Sequence, residues 1–149
     1  MKRAFSLTEL MIALVIIGIL AAIILPHFQS SSIQAKEAAA KDHLRLLRGT
    51  IEFYAAQNKG VPPGYPDNDI GSDPDSDSFY EQIVDSGNYY KKMPKNPFNN
   101  LDTINMIGNS ETFPADATGI YGWVYQPATM TIKLDWPGSD ENGIRYYDY

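Results

Sequence analysis

The residue with the clearest chemical potential in this chain is Glu9. It stands inside the stretch MKRAFSLTELMIALVIIGILAAIILPHF, one turn into an apolar run, Phe5 to Leu25, that carries no other charge. A carboxylate near the centre of a membrane-spanning helix costs roughly 2.5 to 3.5 kcal/mol on insertion scales, and less near an end where it reaches the interface. Two readings follow. Glu9 can snorkel at the boundary and favour the helix start, because carboxylates are stabilised at a helix N-terminus. Alternatively, proteolysis after Ala4 would expose an ammonium on Phe5, one helical turn away, which could pair with Glu9 in the same copy or in a neighbouring one.

Other reactive side chains narrow the field by their arrangement. His27 and His43 lie apart from any serine-nucleophile pattern, and neither G-x-S-x-G nor H-E-x-x-H occurs, so they read as an interfacial and a helix-surface residue rather than as general bases. No enzymatic constellation is visible. The absence of cysteine excludes a disulfide framework, a thiolate metal site and a cysteine nucleophile. A net charge of -6 leaves phosphate backbones no counterions to release against, so no nucleic-acid partner is expected.

The elements that must position Glu9 come next. A helix from Phe5 to Leu25 rises roughly 31 Å, close to the hydrocarbon thickness of a bilayer. Lys2 and Arg3 precede it, which by the positive-inside rule keeps the amino end cytoplasmic and sends the rest outward. A cleaved secretory signal would follow its apolar run with small residues spaced A-x-A, whereas this one ends ILPHF. Ala13, Gly18, Ala21 and Ala22 permit close helix approach. Gly18 lowers helix propensity, and Pro26 removes a backbone donor and clashes one turn back, which predicts a kink at the membrane exit.

Beyond Pro26 the helical period continues. Ile33, Ala40, Leu44, Leu47, Ile51 and Tyr54 recur at threes and fours, with Lys36, Lys41, Asp42, Arg45 and Arg48 between them, which predicts an amphipathic helix. NKG at 58–60, followed by Pro62 and Pro63, supplies its stop. The organisation expected is therefore a leader at 1–4, a transmembrane half at 5–25, an amphipathic half at 26–58 and a loop and sheet domain at 59–149. In that last segment SFYEQIVDSGNYY opens with a helical turn or two, and NPFNNLDTINMIGN is punctuated like a long loop. GWVYQPATMTIKLDW alternates on both sides of a turn, with Ile132, Leu134 and Trp136 on one face and Lys133 and Asp135 on the other, as an antiparallel hairpin requires. IRYYDY reads as a final strand. The strand aromatics read as core and rim rather than as a ligand platform.

The opening A-FSLTELMIALVIIGILAAIILP resembles the N-terminal signature of the type IV pilin and pseudopilin superfamily. The resemblance implies a type IV pilin-like α+β fold, a long N-terminal helix packed on a small antiparallel sheet with long loops. It also implies cleavage by prepilin peptidase between Ala4 and Phe5, N-methylation of Phe5, and assembly through Phe5 and Glu9. Gly18 and Pro26 would bound a segment that melts in the filament. The residue before the cut is commonly Gly in that family and is Ala4 here. YYKKMPKNPFNN at 89–100 is similar to a pattern of the major pseudopilin of type II secretion. GWVYQPAT at 122–129 is similar to a pseudopilin motif that often continues with Gly, where this chain has Met130; a glycine there would serve a left-handed turn.

Major pseudopilins, lacking the disulfide of many pilins, hold their C-terminal loop with calcium. The resemblance therefore implies a structural calcium ion on oxygens of LDWPGSDENG: the Leu134 carbonyl, Asp135, Ser139, Asp140 and Glu141. A second acidic run, Asp67, Asp69, Asp73, Asp75 and Asp77, is the other candidate, and neither has the spacing of an EF-hand loop. The expected function is that of a structural subunit of a secretion pseudopilus. It would be a homopolymer forming a helical filament, with prepilin peptidase, an inner-membrane assembly platform, minor pseudopilins and, before assembly, membrane lipid as partners. A surface pilin and a membrane-anchored binding module that never polymerises are the alternatives.

Overall fold

A computed structural model describes residues 6–86 and 88–149, without the side chains of 23–30. Ala4 and Phe5, and with them the expected cleavage position, lie outside the described residues, as does the side chain of Pro26. Two compact units are present, Met1–Ala35 and Lys36–Tyr149. The first helix, α1 (Leu7–Gln57), contributes residues to both.

In the first unit, the helical stretch from Leu10 to Leu20 is apolar all round. Every large apolar side chain described between Leu7 and Leu20 is more than half exposed, so among the described residues of its own unit this stretch joins no core. A helix of that composition requires an apolar surrounding outside its own unit. Among the described residues no helix is long and apolar enough to cross a membrane. The expected span at 5–25 extends past them, since Phe5 and the side chains of 23–25 are not described.

In the second unit, the amphipathic pattern of α1 meets its partner. Ala40, Leu44, Leu47 and Ile51 are at most 1% exposed, while Lys36, Lys41, Asp42 and Arg45 face solvent. Burying each of the larger apolar side chains contributes about 1.5–3 kcal/mol. The helix stops with Lys59 in the left-handed region (φ 56°) and the Gly60 N–H closing onto the Ala55 carbonyl at 2.8 Å. The left-handed position that commonly falls to glycine is thus taken first by a lysine, and Gly60 (φ 87°) follows it.

Against this face lies a three-stranded sheet in the order β1 (Ile104–Met106), β2 (Trp123–Gln126), β3 (Thr131–Leu134). β2 and β3 form the expected antiparallel hairpin, with Trp123 opposite Leu134 and Gln126 opposite Thr131. β1 pairs with β2 in parallel, Ile104 opposite Trp123, so the sheet is mixed rather than purely antiparallel. All four residues of β2 are buried, because each of its faces is covered. Trp123 and Tyr125 join Phe79, Ile132 and Leu134 in the core that holds Leu44 and Leu47, whereas Val124 packs with Ile107 and Tyr147 beside Phe113 and Ala117.

Three further expectations are corrected. NPFNNLDTINMIGN is not all loop, since it contains β1. IRYYDY is not a strand: it forms a helical turn at Tyr146–Asp148, and Arg145 makes a single bridge to Ser139. Asp135, assigned to the wet face of the hairpin, lies past the end of β3 and is fully buried. The expected helical turns after the acidic loop are present as α2 (Ser76–Tyr80), capped by the Asp75 side chain on the Ser78 N–H at 2.7 Å, and a wider turn at Glu81–Asp85.

Candidate functional site

Two places carry the chemistry singled out by the sequence, the start of α1 and the loop after β3. At the start of α1 the Ser6 N–H donates to a Glu9 carboxylate oxygen at 2.9 Å, and the Glu9 N–H donates to the Ser6 hydroxyl at 3.2 Å. This reciprocal pair is a capping box, which satisfies two backbone donors that the first helical turn leaves without partners. The S-x-x-E spacing of SLTE predicts it, and it gives a specific geometry to the expectation that Glu9 favours the helix start. The consequence is orientation: the carboxylate points back along the chain toward residue 6, the end that cleavage after Ala4 would expose. Gly18 lies within α1, and a Cβ placed on it meets nothing within 4 Å.

The loop after β3 is organised around two carboxylates. Asp135 accepts from the Thr118 N–H and the Thr118 hydroxyl, each at 2.6 Å, and from the Tyr121 N–H at 3.0 Å. Asp140 accepts from the Asn142 N–H at 2.9 Å, the Ile144 N–H at 3.0 Å and the Tyr149 hydroxyl at 3.0 Å. Lys41 of α1 approaches the same Asp140 carboxylate at 3.8 Å and lies over the Tyr149 ring at 4.1 Å. Burial pushes the Asp140 pKa up, but these donors and the lysine outweigh it and hold the group below the ordinary carboxylate range. The Tyr146 hydroxyl reaches Glu37 of α1 at 2.9 Å, and burial together with that carboxylate pushes its pKa up to about 12.

Calcium takes six to eight oxygens converging on one point. Of the five residues expected to supply them, Asp135 and Asp140 each serve a separate set of protein donors. Glu141 and Ser139 face solvent, and the Ser139 backbone pairs with Arg145 in a single bridge. Among the described residues no group of three or more acidic or histidine side chains is placed to hold a metal ion. The donor set does not fit the ion in this arrangement. In the second acidic run, Asp69 holds the Gly71 N–H at 2.9 Å and Asp75 caps α2, so these carboxylates have local duties.

The YYKKMPKNPFNN stretch acquires a structural meaning that its pattern alone did not state. Asn96 is fully buried; its amide donates to the Gly122 carbonyl at 3.1 Å and its carbonyl accepts from the Phe98 N–H at 2.9 Å. Asn99 donates to the Gly119 and Tyr121 carbonyls, at 3.2 and 2.8 Å. These two asparagines therefore fix the entry to β2. A Cβ at Gly122 would stand 2.3 Å from the Leu101 carbonyl oxygen, which is why only glycine fits that entry. At the other end of β2, Met130 adopts the left-handed conformation (φ 51°) where the resembling motif carries glycine, so the turn geometry is kept without it. His43 directs Nδ1 to the Lys95 carbonyl at 3.0 Å, a structural contact. A polar cleft of about 720 Å³ at the carboxyl end of α1 is walled by Tyr54, Asn68, Glu81, Asp85 and Tyr89.

Residues 1–25 match the family model of the prokaryotic N-terminal methylation motif. The chain is 28% identical over 99 residues to type II secretion system core protein G of Pseudomonas aeruginosa, covering 66% of this chain and 70% of that one. It is also 28% identical over 107 residues to core protein G of Vibrio cholerae, covering 66% and 67%. To the type IV major pilin protein PilA of Myxococcus xanthus it is 37% identical over 82 residues, which is 53% of this chain and 35% of the pilin. No solved structure matches the chain significantly. The motif and these similarities uphold the resemblance to type IV pilin-like proteins. Within that superfamily it is the major pseudopilin of type II secretion that the chain resembles along two thirds of its length.

Proposed function

We propose that this chain is a structural subunit of a type II secretion pseudopilus. Prepilin peptidase removes residues 1–4, the new amino group of Phe5 is methylated, and mature copies leave the inner membrane to polymerise through α1 into a periplasmic filament. The amino end is cytoplasmic before cleavage and the second unit is periplasmic. An assembly platform and minor pseudopilins act with it, and growth of the filament drives protein export. The observation that carries this reading is a matched methylation motif on an apolar run, Phe5 to Leu25, whose lone carboxylate is held, by Ser6, facing the end that cleavage creates.

The physical argument is one of compensation. Glu9 in an apolar surrounding lowers its cost by meeting a cation, and the run Phe5 to Leu25 supplies none until cleavage makes one at Phe5. When the pair forms between copies the contact is head-to-tail, and a head-to-tail contact that does not close on itself generates a helical filament. Losing Lys2 and Arg3 removes two positive charges and leaves the product more acidic, so helix packing and this pairing, rather than overall charge, gather the subunits.

Mass spectrometry of the native protein's amino terminus tests the assignment: an N-methylated Phe5 is expected, and a native chain still beginning at Met1 overturns it. Filament yield of Glu9→Gln tests the pairing. Assembly is expected to fail with the leader still removed, and undiminished filaments in that variant would discard the electrostatic step. The match to the Myxococcus pilin favours a second reading, a subunit of a surface filament. Immunogold labelling separates the two, since fibres extending from intact cells belong to the pilus and label confined to the periplasm belongs to the pseudopilus.

A further inference from the structure

The two carboxylates expected to hold an ion in the loop after β3 are each already engaged by three protein donors. Asp135 is fully buried and receives three hydrogen bonds, all from residues Thr118 to Tyr121. Asp140 is 8% exposed and receives three more, two from the backbone of its own turn and one from the Tyr149 hydroxyl. An ionised carboxylate offers about four lone-pair directions. Protons already occupy most of them here, and a cation drawn onto the same oxygens would meet those positive ends before it met the charge. An ion entering here would compete for those lone pairs with the N–H groups of Thr118, Tyr121, Asn142 and Ile144 and with the Thr118 and Tyr149 hydroxyls.

The geometry points to a loop closed by hydrogen bonds and an ion pair within the chain, in which Asp135 and Asp140 take the place of both a disulfide and a calcium ion. Asp135 pins the segment Thr118–Tyr121 to the end of β3. Asp140 closes the turn in which its own N–H donates to the Ile144 carbonyl at 2.9 Å, and through Tyr149 and Lys41 it ties that turn to α1. Tyr146 on Glu37 is a second tie to the same helix. The Thr118 and Tyr149 hydroxyls, which are not among the expected calcium ligands, are therefore part of the fastening. This holds whether or not copies of the chain polymerise, so it stands independently of the proposed function.

Thermal unfolding of the full-length chain in detergent micelles, in millimolar calcium chloride and in excess EGTA, tests the proposal. The midpoint is expected to be the same in both. Thr118→Val and Tyr149→Phe, which leave every expected calcium ligand intact, should each lower it by about 5 °C, equally with calcium and with chelator. Asp135→Asn and Asp140→Asn should lower it further, again without a calcium effect. A midpoint that rises saturably with calcium and loses that rise in Asp140→Asn overturns the proposal. So does a wild-type midpoint in both hydroxyl variants, because the hydrogen bonds would then be holding nothing.

Discussion

The start of α1 and the region around β2 satisfy the same physical requirements by opposite means. At the helix start the bonds are local: Ser6 and Glu9, three residues apart, satisfy each other, and the large apolar side chains from Leu7 to Leu20 stay more than half exposed. Around β2 almost nothing is local. Trp123 donates its indole N–H to the Pro94 carbonyl at 2.9 Å, Asn96 reaches Gly122, and Arg48 of α1 donates to the Ile132 carbonyl at 3.2 Å. One region is complete as a helix and incomplete as a surface; the other is complete only as a fold. That difference suits the proposed function, in which the apolar end exchanges lipid for other copies while the second unit keeps one shape.

The comparison breaks most directly at Trp123. Trp123→Ala removes the largest fully buried side chain and leaves the Pro94 carbonyl without its donor, which is expected to destabilise the second unit by about 3–5 kcal/mol. Urea unfolding followed by tyrosine fluorescence should show it, while amide exchange in the first turns of α1 stays as in the parent chain. Protection lost at both places together would mean that the helix start depends on the core after all. Ser6→Ala is the converse and smaller change. It removes the hydroxyl that receives the Glu9 N–H and should cost about 0.5–2 kcal/mol of local helix stability. Faster amide exchange confined to the first turn, with an unaltered urea midpoint for the second unit, is the expected result.

How legible each region was in the sequence follows from the same contrast. The helix is written locally: a 3.6-residue apolar period, a glycine and two prolines after it, and S-x-x-E at its start each report on neighbours a few residues away. The β2–β3 hairpin is local too, and its alternation gave it correctly. β1 was not legible, because it has three residues and pairs in parallel with a strand whose first residue lies seventeen positions beyond the end of β1, so neither a turn signal nor a repeated alternation marks it. Asp135 was misplaced for a related reason. Alternation assigned it to solvent, but β3 ends at Leu134, and what buries Asp135 is a loop that returns from residues 118–121. Acidic side chains in a turn look the same in sequence whether they await an ion or already hold backbone N–H groups. The donors that decide between these, Thr118 and Tyr149, lie 17 and 9 residues away.

The smallest expected effect sharpens the contrast at the surface of the second unit. Asp148 accepts from the Arg145 guanidinium at 2.7 and 3.2 Å and lies 3.6 Å from Lys133. The hydrogen bond from Arg145 lowers its pKa, slight burial opposes that, and the charges of Arg145 and Lys133 add to the lowering. A carboxyl whose folded pKa lies below its unfolded one contributes stability above the unfolded value, roughly pH 4, and loses it as pH falls through the folded value. Since the Asp148 side chain is 40% exposed, solvent screens most of this. Asp148→Asn should lower the melting temperature by no more than about 2 °C at neutral pH. The gap from the parent chain should close as the pH is taken below roughly 3. A gap that stays constant with pH would assign the loss to packing rather than to charge, and a gap that grew in acid would reverse the sign of the pKa shift.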